Sequence, residues 1–124
     1  MRTAVIDLDG KSRLLCFSAR VVRSCIERYG ALEGINTALS DQNPVKVLEE
    51  SVWIISRMMD AGERYAKHMG LENPAALNTE TLLDLVDIND LFLLRAKIGE
   101  TLQAGQRTTI EVNPPKNAEA TQGE

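Results

Sequence analysis

A chain of 124 residues is long enough for one domain with a modest core and too short for two. Hydrophobic residues make up 44% but aromatics only 4%, a balance that leans helical rather than toward a β-sandwich. A net charge of −4 gives no reason to expect nucleic acid, and no apolar run approaches the roughly 20 residues needed to span a bilayer.

Charge is unevenly spread. Residues 1–30 carry six Lys or Arg against three Asp or Glu, whereas residues 71–124 carry four against nine. A basic front and an acidic back permit head-to-tail self-association without demanding it. Cys16 and Cys25 match no metal-ligand spacing, and the single histidine, His68, completes no four-ligand set. They read as buried thiols of a reducing compartment. No signal-peptide pattern opens the chain, so the expectation is a soluble cytoplasmic protein with neither a membrane nor a nucleic-acid partner.

In chain order, residues 3–8 and 13–17 are short β-prone runs separated by Asp9-Gly10-Lys11-Ser12, and Asp-Gly is a strong hairpin signal. Such a ribbon needs a helix to pack on. Residues 18–30 then read as a helix capped by Ser18 and ended by Gly30, with Val22, Cys25, Ile26 and Tyr29 sharing a face. Phe17 and Val22 have the spacing of a hydrophobic staple. Leu32, Ile35 and Leu39 suggest a short second helix interrupted by Gly34.

The stretch from Asn43 to Gly70 organises the rest. Asn43 can cap the free amides, Pro44 suits the first helical position, and Gly70 suits a left-handed stop. Leu48, Val52, Ile55, Met59, Gly62, Ala66 and Met69 recur at steps of four and three, with Ile54, Met58, Ala61 and Tyr65 as a second apolar row. Two rows are wider than the stripe of a surface helix, so 44–69 is expected to be the central helix. Trp53 falls on the opposite, charged face. Either another segment covers it or it is an anchor for a partner.

Beyond Gly70 a loop leads to a short helix holding Leu82, Leu83, Leu85 and Val86. Asp87 reads as the cap of a last helix, with Asp90 three residues on, and Leu91, Leu94, Ile98 and Leu102 turned inward. Gly105 is expected to stop that helix. Thr108 to Val112 then makes one short edge strand, and 113–124, without a large apolar residue, is a disordered tail. Residues 1–112 thus form a single mostly α domain of four or five helices with an N-terminal β-hairpin.

Chemistry finds little footing. The run Ala4-Val5-Ile6-Asp7-Leu8-Asp9-Gly10 resembles the first motif of haloacid-dehalogenase-type phosphatases. That resemblance implies Asp7 as nucleophile and Asp9 as general acid/base, with Mg²⁺ offsetting phosphate charge. That family needs a parallel α/β sheet, and nothing after residue 17 alternates strand with helix, so the hairpin is the expected reading. Glu80, Asp84, Asp87 and Asp90 lack the alternating ligands and central glycine of a Ca²⁺ loop and read as caps and solvated face. No catalytic, cofactor or metal residue is assigned, and a non-enzyme is expected.

Arg28-Tyr29-Gly30-Ala31-Leu32-Glu33, then Asn43-Pro44-Val45 opening a helix with Trp53, Gly62 and Tyr65, then Leu82-Leu83-Asp84-Leu85-Val86-Asp87, resembles the tail assembly chaperones of long-tailed bacteriophages and prophages. The likeness covers roughly residues 12–112. It implies a small helical cytoplasmic protein that binds the tape measure protein, keeps that long coiled partner soluble, and helps bring tail tube subunits to it. A chaperone of a helical client needs apolar surface framed by charge. The candidate contacts are Trp53, the leucine-rich segment around Leu82–Val86 with Leu82 and Leu83 foremost, and Phe92 and Leu93. The alternative is a small helical adaptor or regulator acting by self-association or partner binding.

Overall fold

The computed structural model describes residues 3–111. In chain order its elements are β1 (Thr3–Leu8), β2 (Lys11–Cys16), α1 (Ala19–Tyr29), α2 (Glu33–Leu39), α3 (Pro44–Met69), α4 (Thr79–Leu85), a 3-10 turn at Ile88–Asp90 and α5 (Leu91–Glu111). The expected architecture is therefore observed: mostly α, five helices about a long central one, with an N-terminal hairpin.

Leu8 lies opposite Lys11, which leaves Asp9-Gly10 as a two-residue turn. Both turn residues have positive φ, 48° and 77°, the backbone that matches the twist of paired strands. Alternation then buries Ala4, Ile6 and Leu8 and leaves Val5 and Asp7 outside. The ribbon packs on α3 and α5.

The caps of α3 form as the residue types dictate. The Asn43 side chain accepts a hydrogen bond from the Val45 amide at 3.0 Å, and Gly70 closes the helix at φ 71°. Val52, Ile54, Ile55, Met58 and Met59 are all wholly buried. Each such side chain contributes about 1.5–3 kcal/mol of transfer free energy. Within the first of the two rows, Gly62 meets the ribbon at backbone distance. A Cβ there would lie 2.0 Å from the Leu14 carbonyl oxygen and 2.5 Å from its carbon.

The 71–78 connection is tied down rather than loose. The Leu14 amide donates to Asn73 Oδ1 at 2.9 Å, and Arg13 Nε donates to the Ala75 carbonyl at 3.0 Å. Glu63 accepts from the Ala76 amide at 2.9 Å. Arg13 is itself buried, paired to Asp9 at 3.0 Å within the hairpin.

Five expectations are corrected. Met69, at the end of the α3 row, is exposed, because the helix stops at the next residue with nothing packed over it. In α1 the buried residues are Val21 and Cys25, with Tyr29 half-buried in the same row and Ile26 exposed. The row 21–25–29 faces inward because the Tyr29 hydroxyl is bonded to α3, as described below. Gly34 does not interrupt α2. It lets α2 approach α1, since a Cβ there would lie 2.4 Å from that of Tyr29. The edge strand from Thr108 does not form, because α5 continues through Gly105 to Glu111. Gly105 has no positive φ, and a Cβ on it would sit 3.4 Å from Phe17, so it is a packing residue rather than a stop. Extending an existing helix gains a hydrogen bond per residue fixed, whereas a lone strand must find an edge. The tail expected over 113–124 lies outside the described residues.

Gly62→Ala is expected to lower stability by about 3 kcal/mol or more, since only movement of the ribbon against α3 relieves the clash. Urea unfolding checks this. A loss below 1 kcal/mol would mean that the ribbon and helix separate cheaply.

Candidate functional site

Trp53 is half-buried and covered by α1. The Tyr29 ring meets it edge-on at 5.9 Å between centroids and 86° between planes. The Arg28 guanidinium lies over it at 4.4 Å from the centroid. Both covering residues are fixed by Glu50, one turn before Trp53 on α3. Arg28 donates to its two carboxylate oxygens at 2.8 and 3.0 Å, and the Tyr29 hydroxyl donates at 2.6 Å. Bidentate geometry and an aromatic face beneath the guanidinium suit arginine in particular.

These contacts set the electrostatics. The hydrogen bond from Arg28 holds the Glu50 carboxyl below the usual carboxylate range. The bond to Glu50 raises Arg28 in turn. Burial, then the bond to Glu50, pushes the Tyr29 phenol well above its ordinary value.

The other candidate contacts divide by burial. Leu82 is wholly buried and offers no surface, and Leu83 is half-buried against the core. Phe92 and Leu93 are exposed, Phe92 at 81% of its surface. The corner that presents them is built by caps. Asn78 accepts from the Thr81 amide at 2.8 Å to begin α4. Asp87 accepts from the Asn89 amide at 2.8 Å and Asp90 accepts from the Asp87 amide at 3.0 Å, the reciprocal capping box anticipated from their spacing. This turn sends Leu82, Val86 and Leu94 inward and leaves Leu85, Ile88, Phe92 and Leu93 outside. Leu85 lies in the leucine-rich segment that the sequence singles out, and α4, seven residues long, is too short to bury every leucine it carries. Ile88 escaped sequence reasoning.

Phe92 also stands at the mouth of a groove between α2 and α5. A cavity of about 490 Å³ lined by Leu39, Phe92, Ile98 and Leu102, with Ser40 and Arg95 at its polar parts, shares Asn36 and Leu102 with one of about 300 Å³ beside Phe17, Leu32 and Ile35. Gly99 forms part of its wall with nothing within 4 Å of where a Cβ would stand. The result is an apolar ridge with an adjoining furrow.

Asp7 and Asp9 have structural partners. Asp7 accepts from the Ser12 hydroxyl across the ribbon, and Asp9 sits in the turn against Arg13. Among the described residues the sheet has two antiparallel strands, and no group of three His, Cys, Asp or Glu is placed to hold a metal ion. Cys16 and Cys25 are both buried, and burial raises the Cys25 thiol. No described helix is long and apolar enough to cross a membrane. No protein-family model, curated protein or solved structure matches the chain.

Trp53→Ala is expected to lower stability by about 3 kcal/mol while the helical circular dichroism is kept. Denaturant unfolding that shows no loss would place Trp53 outside the fold's contacts. Glu50→Gln is expected to cost about 1 kcal/mol at neutral pH, since Arg28 is 39% exposed and the pair is screened. The folded-state pKa of Glu50 lies below its unfolded value of about 4.3, so its contribution is complete above that value and is lost as pH falls through the folded value. Unfolding midpoints of wild type and variant should therefore converge as pH drops from about 5 toward 3.

Proposed function

We propose that this protein is a non-catalytic assembly chaperone whose client is the tape measure protein of a phage or prophage tail, acting in the host cytoplasm. The observation that carries this reading is the ridge of Leu85, Ile88, Phe92 and Leu93 beside the α2–α5 groove. Single exposed apolar residues are ordinary, but four within nine positions, one an aromatic at 81% exposure, form a patch that water disfavours. An amphipathic client helix would lay its apolar face along the furrow and take the ridge between its side chains. The acids around the ridge would keep such a complex dispersed. The residue pattern likened to tail assembly chaperones names the client, and the ridge supplies the means of holding it. Delivery of tail tube subunits belongs to the same reading. The second reading, a helical adaptor or regulator, uses the same ridge with a different partner.

Co-expression with a phage tape measure protein, followed by size-exclusion chromatography with light scattering, tests the proposal. A soluble complex that is lost when this protein is omitted, and lost again with Phe92→Asp, is the expected result. Insoluble client with this protein eluting alone would overturn it in favour of the adaptor.

A further inference from the structure

Two surfaces of this chain complement each other in charge and in apolar character. The first is a groove between α1 and α3. One end, a cavity of about 170 Å³, is lined by Arg20, Arg23, Arg57 and Arg64, with Asp60 as its sole acid. Arg57 is paired to Asp60 at 3.2 Å. Arg20, Arg23 and Arg64 have no carboxylate within 4.0 Å among the described residues. Four guanidiniums around so small a space repel one another, and one carboxylate cannot offset them. The other end, about 320 Å³, continues past Arg20 and Arg64 over Ala19, Ala61 and Tyr65. The first turn of α1 begins here with no acidic residue and no side-chain cap from Ser18, which adds to the positive potential.

The second surface is the α4–α5 corner. Between Lys67 and Arg95 the chain has no Lys or Arg and five acids. Glu80, Asp84, Asp87 and Asp90 crowd the corner, and exposed Leu85 and Ile88 lie among them. The two surfaces lie on different sides of α3. Ser56 and Glu63 hold the connection leading to α4, through bonds to Leu77 and Ala76, whereas Arg57, Asp60 and Arg64 face α1.

We infer that the occupant of the α1–α3 groove is a second copy of this chain, docked by its α4–α5 corner. Glu80 and Asp84 of one copy meet Arg20, Arg23 and Arg64 of the next, and Leu85 and Ile88 rest on the Ala19–Ala61–Tyr65 floor. Charge opposes charge in a protein whose net charge is −4, so only this local alignment overcomes the general repulsion. The contact joins unlike patches, so each docked copy keeps a free groove or a free corner, and association continues into a ring or a short chain. The attraction is between exposed groups and is screened within about 8 Å at physiological salt. The inference stands whether or not the client is a tape measure protein.

Sedimentation velocity on the full chain, at low and high salt, reads it directly. Wild type should exceed the monomer mass increasingly with concentration at low salt and return to monomer at high salt. Arg20→Glu with Arg64→Glu, and separately Glu80→Lys with Asp84→Lys, should each weaken association by about tenfold or more. An equimolar mixture of the two double variants should associate again, because the first keeps an acidic corner and the second keeps a basic groove. Circular dichroism establishes that each variant is folded. Should a charge reversal unfold the chain, the neutral pairs Arg20→Gln with Arg64→Gln and Glu80→Gln with Asp84→Asn replace it. Wild type monomeric at low salt, a double variant that keeps the wild-type mass, or a mixture that stays monomeric would each overturn the inference.

Discussion

The approach of α3 to β2 at Gly62 is the constraint on which the other contacts depend. With only hydrogen on Gly62, the Leu14 carbonyl comes close enough that a Cβ would overlap it, at 2.0 Å. A two-stranded ribbon is marginal alone, and here it is laid flat against the central helix, where Ile6 and Leu15 join the Met58 and Met59 core. The same closeness brings Arg13 and Leu14 within hydrogen-bond reach of the 71–78 connection. That connection in turn aims α4. A side chain at position 62 would therefore disturb more than one contact. It would lift the ribbon, loosen the 71–78 connection and shift the corner that carries the exposed ridge.

A second clamp works on the other side of α3. Glu50 gathers Arg28 and Tyr29 from the end of α1, and these close over Trp53. Gly34 completes it by letting α2 come against Tyr29. The clamp is electrostatic and aromatic where the Gly62 contact is steric, and the two respond differently to conditions. Acid weakens the first by protonating Glu50 and leaves the second unchanged. Above the usual tyrosine range the Tyr29 phenol adds a matching alkaline limb, because its raised pKa makes its contribution complete below about 10 and lost as pH rises through the folded value.

Local signals in the chain spoke clearly where one residue type answers one backbone need. Asp9-Gly10, Asn43-Pro44, Gly70 and the Asp87–Asp90 pair each located a turn or a cap, and each is found there. What periodicity could not convey was depth. Val21 and Val22 are adjacent and chemically identical, and a bond between Tyr29 and Glu50, 21 residues apart, decides which turns inward. Gly34 reads as an interruption, Gly105 as a stop and Gly62 as one member of an apolar row, yet all three are positions where another segment comes close. Of the five candidate contacts, Phe92 and Leu93 lie on open surface, while Leu82 and Trp53 are claimed by long-range packing that no window of sequence contains.

The ridge at the α4–α5 corner is asked to serve two proposed partners, and their chemistry makes them competitors. A docked copy of the chain covers Leu85 and Ile88 with its arginine-lined groove, and a client helix lying along α5 needs the same corner. If both bind, each lowers the apparent affinity of the other by the same factor, since linkage between two ligands for one surface is reciprocal. Self-association driven by screened charge is shallow, whereas a client that buries Phe92 gains the larger apolar term. The expected order is that copies shield one another's ridges when no client is present, and a client displaces them without any change of fold. An exposed apolar ridge left permanently open is itself an aggregation risk. In the inferred self-docking, a second copy covers the Leu85 and Ile88 part of that ridge reversibly, using charges already present on the surface.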